Sequence, residues 1–406
     1  MTRSTARSWQ QYRELERHLG AGSSTGSKIP QYEGDAPALI VRGKGCRVWD
    51  LDGNEYIDFR NALGPVTLGY AVREIDDAVI AQLQEGIIFG HPHPLEGEVA
   101  ALLCEVIPCA EKARFMKTGG EALAACIKIA RAATGRDRVV HCGYNGWLNN
   151  LCAPAGAVPR GAAMAQPLRG VPAALAALHR SLPWGDLAAW EEYFRAHGRE
   201  TAAAVVACSY GDMEQGHAFL PAVRALTAQY DTLLVMDEIV TGFRLALGGA
   251  QEYFKITADM AVVGKGVANG MPISAYVGRA GLIDSAREVG ITTTFGGETL
   301  ALAATKAAIA FYRAHDVIGY LWRAGTDLWG RARTLIRQHR FPLELKGLDI
   351  CPQFAFASPQ AQEAFFRAAY RNGLSFYDVS YVNYAHRPDD ITATLERLER
   401  ALKEIA

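Results

Sequence analysis

Residues 232–270 read TLLVMDEIVTGFRLALGGAQEYFKITADMAVVGKGVANG, and they hold two short apolar runs, LLVM and MAVV, each closing on charged residues. Asp237 and Glu238 follow the first run. Lys265 follows the second, set between Gly264 and Gly266. Short runs this apolar, with turn residues at their ends, read as strands buried on both faces. The pattern continues outward in both directions: ARFM before a Gly-Gly pair, then DRVVHCG (137–143) and AAAVVACS (202–209) upstream, and ISAYVGR (273–279) downstream. Amphipathic helical periods lie between and around them, including LEGEVAALLCEVI (95–107) and EALAACIKIARAA (121–133). Strand followed by helix, repeated, predicts an α/β fold with a mostly parallel central sheet and helices on both faces.

The flanks read differently. A polar stretch, GAGSSTGSK (20–28), precedes ALIVRGKGCRVWDLDGNEYIDF (38–59), where Asp52-Gly53-Asn54 marks a hairpin turn. The last third opens on the helical ETLALAATKAAIAFYRAH (298–315), offers strands in LELKGLDICPQFAFA (343–357) and ends on the amphipathic DITATLERLERALKEI (390–405). A smaller α+β domain is expected there. The expected division is 1–60 as an N-terminal segment joining the small domain, 61–298 as the large domain and 299–406 as the C-terminal small domain.

Composition narrows the function. The chain has 406 residues, 50% hydrophobic and 21% charged, enough to bury a sizeable core. Its 42 Lys plus Arg balance 43 Asp plus Glu with no dense basic block, which argues against a nucleic-acid partner. No run of eighteen apolar residues points to a membrane, and the polar start lacks the pattern of a secretory signal. The eight cysteines (46, 104, 109, 126, 142, 152, 208 and 351) form no CxxC pair, so free thiols and a cytoplasmic location are expected. His91 and His93 lack a third ligand, so no metal site is expected. Gly264, Gly266 and Gly270 do not give the GxGxxG spacing, which disfavours a nicotinamide dehydrogenase, and GSSTGSK lacks the ending of a P-loop.

Three strand ends carry chemistry together. KTGGEA puts Thr118, Gly119 and Gly120 before a helix, where backbone N–H groups and the helix dipole favour an anion such as phosphate. A carboxylate at Asp237, buried after an apolar run, asks for a cationic partner such as a protonated ring nitrogen. An amine at Lys265, held among small residues, loses its proton readily and suits imine formation. Phosphate anchor, ring-nitrogen partner and Schiff-base amine are the contacts that pyridoxal 5'-phosphate requires.

The ordered set RGKGCRVWDLDGNEYIDFRNALGPVTLGY, TGGEA, GYNGW, DEIVTGFR, GKGVANGMPISAYVGR, TTFGGETLALAA and YAHRPDDI resembles the class III (ω-type) aminotransferases of fold type I. Within them it is most similar to the glutamate-1-semialdehyde 2,1-aminomutase branch. The resemblance implies that Lys265 forms the Schiff base and then moves the reacting proton, and that Asp237 pairs with the pyridine nitrogen. It implies that Tyr144 stacks on one ring face and Ile239 covers the other, with Thr118, Gly119 and Gly120 around the phosphate. Thr294 would reach the phosphate of a neighbouring subunit, so a homodimer with a shared active site is expected. The expected reaction moves an amino group from a small amine donor to a carbonyl acceptor. The alternative shifts it within one molecule, as an aminomutase does. Retention of both Lys265 and Asp237 argues against a binding protein that has lost turnover.

Departures from the family pattern bear on substrate. Gly120 stands where relatives carry a hydroxyl residue, Asn145 where they commonly carry histidine, and Leu63 where the branch has an aromatic residue. Cys208-Ser209 replaces a Glu-Pro whose glutamate gates a carboxylate-binding arginine, which argues against a dual-carboxylate mode. Lys28 stands near the branch's carboxylate-binding arginine, and Asp378 near a late glutamate. Lys28, Leu63, Asn145 and Cys208 are therefore the candidate substrate residues. The substrate implied is other than glutamate semialdehyde: a specialised amine, an amino sugar or a cyclitol.

Overall fold

The computed structural model describes residues 3–147 and 170–405, and Cys152 lies outside them. The chain divides into two compact units, Met1–Val72 with Gly319–Ala406, and Arg73–Ile318. Thirteen strands are described: β1 (Ile40–Lys44), β2 (Arg47–Asp50), β3 (Glu55–Asp58), β4 (Lys112–Met116), β5 (Arg138–Cys142), β6 (His179–Ser181), β7 (Thr201–Ala207), β8 (Leu233–Asp237), β9 (Met260–Gly264), β10 (Ser274–Gly278), β11 (Leu343–Lys346), β12 (Gln353–Phe356) and β13 (Leu374–Ser375).

The unit 73–318 holds a seven-stranded sheet in the order β4-β10-β9-β8-β7-β5-β6. Strands β5 to β9 run parallel, as the strand–helix alternation requires, while β10 is antiparallel to both β9 and β4. Only a single turn, Lys265–Ala268, and a short loop separate β9 from β10, too little chain for a parallel crossover. Every residue of β8, β9 and β10 is buried. The small side chains of β7, including Ala202 and Ala203, share a core with Ala122, Ala125, Cys126 and Ile129 of the helix Gly119–Thr134. Each fully buried Val, Leu or Ile here contributes about 1.5–3 kcal/mol.

The helix Thr299–Ala314 belongs to this unit, so the division falls after residue 318 rather than after 298. The reason is packing: that helix lies against the helices Arg73–Glu85 and Pro94–Val106, and the Thr299 N–H donates to the Ile87 carbonyl at 2.8 Å. The first boundary likewise falls after residue 72 rather than 60. Gly45 and Tyr70 exchange backbone hydrogen bonds of 2.8 and 2.9 Å, which ties the intervening chain to the first sheet.

The other unit is built from both ends of the chain. Its sheet has the order β1-β2-β3-β13, with β13 parallel to β3 and Leu374 opposite Ile57. The hairpin at Asp52-Gly53-Asn54 joins antiparallel β2 and β3, with Gly53 at φ +88°, a conformation glycine adopts without steric cost. Asp52 also accepts hydrogen bonds from the N–H groups of Arg7 and Ser8, at 3.0 and 2.7 Å, and so anchors the first turn of the helix Ala6–Glu16. Strands β11 and β12 pair antiparallel, and the final helix Pro388–Ile405 buries Ile391, Leu395, Leu398 and Leu402 along one stripe. No helix among the described residues is long and apolar enough to cross a membrane.

Candidate active site

In the unit 73–318 the carboxyl ends of β5, β7, β8 and β9 lie side by side, the place where open α/β sheets hold ligands. Asp237 is the last residue of β8, opposite Ala207 of β7 and Val262 of β9. It is only 7% exposed. Burial pushes its carboxyl up to about 6, while the Ile239 N–H at 3.0 Å, the charge of Lys265 and the Asn145 amide favour the ionised form. Lys265 begins the turn after β9 at φ +48°. Burial brings its amine down to about 8, opposed by Asp237 and reinforced by the Arg244 guanidinium. Roughly a tenth of such an amine is neutral at pH 7, a usable nucleophile where an ordinary lysine has almost none. A left-handed lysine at this point stores strain of the kind that gathers at functional sites.

The neighbouring Glu238 has a different role. It is fully buried and accepts hydrogen bonds from the N–H groups of Ala250 and Gln251 at 2.8 and 2.9 Å and from the Thr241 hydroxyl. It thereby ties down the loop after β8 that carries Ile239 and Arg244. Arg244, only 1% exposed, is a site residue that sequence reasoning missed, although it closes the quoted DEIVTGFR.

The expected phosphate turn forms the start of the helix Gly119–Thr134. Thr118 is its N-cap, bonded reciprocally to Glu121, and the Ser274 hydroxyl donates to the Thr118 carbonyl at 2.8 Å. Gly119 and Gly120 are the first two helical residues, whose N–H groups have no acceptor within the helix. A Cβ on Gly119 would lie 2.5 Å from Ile239 Cδ1, and one on Gly264 would lie 2.9 Å from the same atom. Ile239 thus wedges between the glycine turn and the lysine strand. We expect Gly119→Ala to destabilise the protein by about 1–3 kcal/mol through this overlap. The double variant Gly119→Ala with Ile239→Ala should recover part of that loss, because truncating Ile239 removes the atom in the way. Thermal unfolding of the two singles and the double checks this coupling.

Tyr144 follows β5 and is 64% exposed, with its hydroxyl pKa raised by partial desolvation and by the charge of Asp237. Cys208 follows Ala207 at the end of β7. Asn145 departs from its expected place among substrate residues. It is 1% exposed; its Oδ1 lies 3.1 Å from His141 Nδ1, and its amide hydrogen-bonds Asp237. It supports the carboxylate and is turned away from solvent. Thr294 is exposed in the turn before the helix Thr299–Ala314, beside the exposed Phe295.

The first unit brings two other candidates together. Lys28 and Leu63 line one cavity of about 520 Å³, with Arg60, Tyr70 and Tyr377 among its walls. Arg60, a second residue missed from sequence, donates to Ser27 O at 2.9 Å and to the Tyr370 hydroxyl at 3.2 Å, and its guanidinium lies 4.7 Å from the Tyr377 ring centre. Asn61, Ala62 and Leu63 all take positive φ (46°, 52° and 71°), a strained left-handed turn. Asp378 also lines this cavity and accepts from Gln362 at 3.1 Å.

A glycine cup, a buried carboxylate and a depressed lysine, set on a mostly parallel sheet, define a fold type I pyridoxal-phosphate enzyme. The chain belongs to the aminotransferase class-III family, whose model matches residues 29–402. It is 30% identical to the glutamate-1-semialdehyde 2,1-aminomutase of Persephonella marina, over 98% of this chain and 99% of that one. It is 31% identical to the enzyme of the same name from Aquifex aeolicus, over 97% and 99%. The structure of the PLP internal aldimine form of the Sphingopyxis sp. MTA144 FumI protein superposes with a TM-score of 0.87 at 26% identity, covering 98% of this chain and 96% of that one.

The cofactor of this enzyme family is pyridoxal 5'-phosphate, and the residues present suit it. A buried carboxylate whose pKa has been lifted to about 6 would be held more firmly in its ionised form by a cationic ring nitrogen, and an amine near 8 can attack an aldehyde. Among the described residues no cluster of three or more His, Cys, Asp or Glu could hold a metal ion.

Proposed function

We propose that the protein transfers an amino group from a small amine to a carbonyl acceptor, with Lys265 and Asp237 as its catalytic residues. The observation that carries this reading is the pair itself: a lysine lowered to about 8 and an aspartate raised to about 6, at the ends of adjacent buried strands. Bound there, the cofactor supplies an electron sink for the carbon that loses its proton. The chain supplies the rest. Lys265 takes and returns the proton at its Nζ, Asp237 holds the ring nitrogen's positive charge, and the N–H groups at Gly119 and Gly120 hold the phosphate. Ile239 and Tyr144 would cover the two ring faces.

A second reading, transfer within a single molecule, is favoured by the aminomutase relatives, which match nearly the whole chain. One experiment separates them. Purified enzyme loaded with cofactor is mixed with a panel of amines while the visible absorbance and the released carbonyl compound are followed. Bleaching with stoichiometric carbonyl release supports intermolecular transfer. Bleaching and recovery without release overturns it in favour of the second reading. Substitutions at Gly120, Leu63, Lys28 and Cys208 relative to the family pattern support a substrate other than glutamate semialdehyde, with a specialised amine, amino sugar or cyclitol as the class to screen first. The seven cysteines among the described residues are not joined in disulfides, which supports a reducing, cytoplasmic setting.

The homodimer is part of the proposal. Ile87, Ile88, Phe89 and Phe295 are exposed, and residues 86 and 87 are hydrogen-bonded to Thr299, so this apolar surface adjoins Thr294. A second copy of the chain covering it would bring Thr294 to a neighbouring site. Phe89→Asp is expected to weaken self-association at least roughly 30-fold, the effect of a lost interface anchor, and sedimentation velocity across a concentration series measures it.

A further inference from the structure

Asp237 is the end of a longer chain of buried polar groups. The Asn145 Nδ2 donates to the Cys142 carbonyl at 3.5 Å, which fixes the donor end of the amide, and the same side chain is hydrogen-bonded to Asp237, whose carboxylate can only accept. That leaves the Asn145 Oδ1 as an acceptor 3.1 Å from His141 Nδ1, which therefore carries the ring proton. The neutral His141 ring then presents a lone pair at Nε2, 2.8 Å from His179 Nδ1, so His179 donates from Nδ1. His179 Nε2 is left as an acceptor 3.1 Å from Arg131 Nη2, a group that can only donate.

The two ends fix the direction of every bond between them. If either ring were doubly protonated, or held the other tautomer, two donors would meet somewhere along the line. The surroundings agree: burial lowers His141 to about 4 and His179 to about 3, and the Arg131 charge lowers both, so both rings stay neutral. Neither ring is more than 7% exposed. Arg131 is itself held by Nε donating to Asp137 O at 2.9 Å, in the last turn of the helix whose first turn is the glycine cup. His141 and His179 lie on β5 and β6, their rings stacked 5.1 Å apart.

We propose that Asn145, His141 and His179 are positioning residues: a one-way line of donors from Arg131 to Asp237 that holds the aspartate ionised for its cationic partner. The last clause rests on Asp237 pairing with the cofactor's ring nitrogen, whereas the line of donors itself does not. The groups that act on Asp237 besides Asn145 are Lys265, the Ile239 N–H and Glu238, with Tyr144 and the buried Cys126 also within its field. None of them replaces the donor that Asn145 supplies.

The test begins with the cofactor-free protein labelled with ¹⁵N-histidine. Of the ten histidines, His141 and His179 should both show a protonated Nδ1 and an unprotonated Nε2, the minor tautomer of histidine in water, and neither should titrate between pH 8 and 5. A protonated Nε2 on either ring would overturn the proposal, whatever the enzyme's activity. Two variants then test function. His179→Gln retains an acceptor for Arg131 and a donor for His141, whereas His179→Leu retains neither. In His179→Leu the acid limb of the cofactor's visible pH profile should move up by about one unit or more, with kcat falling and KM little changed, and His179→Gln should restore both. Equal behaviour of the two variants would reduce the line to a structural feature and overturn the positioning role. If the cofactor fails to bind the native protein while the tautomers are as stated, the proposed function falls and the direction of the line stands.

Discussion

Replacing Lys265 by alanine is expected to abolish turnover and the cofactor's covalent attachment while leaving the fold intact. Loss of the proton transfer alone removes about 10²–10⁴-fold in rate, and loss of the nucleophile adds to it. The fold should tolerate the change because the native residue is not there for stability. Lys265 sits at φ +48°, where a side chain costs on the order of 1 kcal/mol, and its amine is buried beside the Arg244 charge. Its folded-state pKa of about 8 lies below the unfolded 10.5, so between those values the folded protein binds fewer protons. Cofactor-free protein should therefore gain stability as pH rises from about 8 to 10.5, by roughly 3 kcal/mol in all, and Lys265→Ala should lack that gain. Borohydride reduction followed by mass spectrometry reads the attachment, which should be present in the native enzyme and absent in the variant. Urea unfolding at pH 7 and pH 10 reads the stability. A variant that still carries reduced cofactor would show that another amine does this work.

Why the burial and the perturbed charges of Lys265 and Asp237 could be read from sequence, while the buried contacts of Asn145 could not, follows from where the information lies. A charged residue after an apolar run is a local feature, and the run dictates both the strand and the burial that perturbs the charge. The glycine turn before a helix is equally local. The role of Asn145 depends on His141 and on Asp237, which is 92 residues away, and the position of His141 depends on His179 across a three-residue strand with almost no hydrophobic signature. Parallel strands are joined by long crossovers, so contacts between them leave no short-range pattern. Arg244 was written in the quoted motif, but its burial comes from a loop folded around Glu238, whose hydrogen bonds reach 12 and 13 residues along the chain. The left-handed turn at Asn61–Leu63 was invisible for another reason: three non-glycine residues at positive φ run against local preference, and only tertiary contacts hold them there. Asn61 shows those contacts, with its side chain bonded to Tyr381 O at 3.1 Å and to the Asn383 amide at 2.8 Å.

Asp237→Asn should separate stability from catalysis in the opposite direction to an ordinary core substitution. The folded carboxyl has its pKa raised from 3.8 to about 6, so between those values the folded state binds more protons than the unfolded chain. Stability of the cofactor-free protein therefore falls as pH rises through that window, by about 3 kcal/mol in all, and the loss persists at pH 7. An amide of the same shape has no charge to desolvate. The cofactor-free variant should be at least as stable as the native protein at pH 7 and lack the part of the fall between pH 4 and 6 that Asp237 causes. Its Oδ1 can still accept from the Ile239 N–H, whereas its Nδ2 cannot accept from the Asn145 amide, a loss of about 1–3 kcal/mol that does not exceed the gain from removing the buried charge. Catalysis should fall by about 10²–10³-fold, the usual effect of removing one preorganised electrostatic partner, because the amide cannot hold a positive charge on the ring nitrogen. The loss should appear in kcat, and the native enzyme should gain more thermal stability from cofactor than the variant does, since only the native carboxylate is relieved of its desolvation cost on binding. Equal stabilisation of both proteins by cofactor would show that Asp237 does not meet the ring nitrogen. A stable variant with weak catalysis and little stabilisation by cofactor would place the destabilising charge at the centre of the active site, kept for its chemistry.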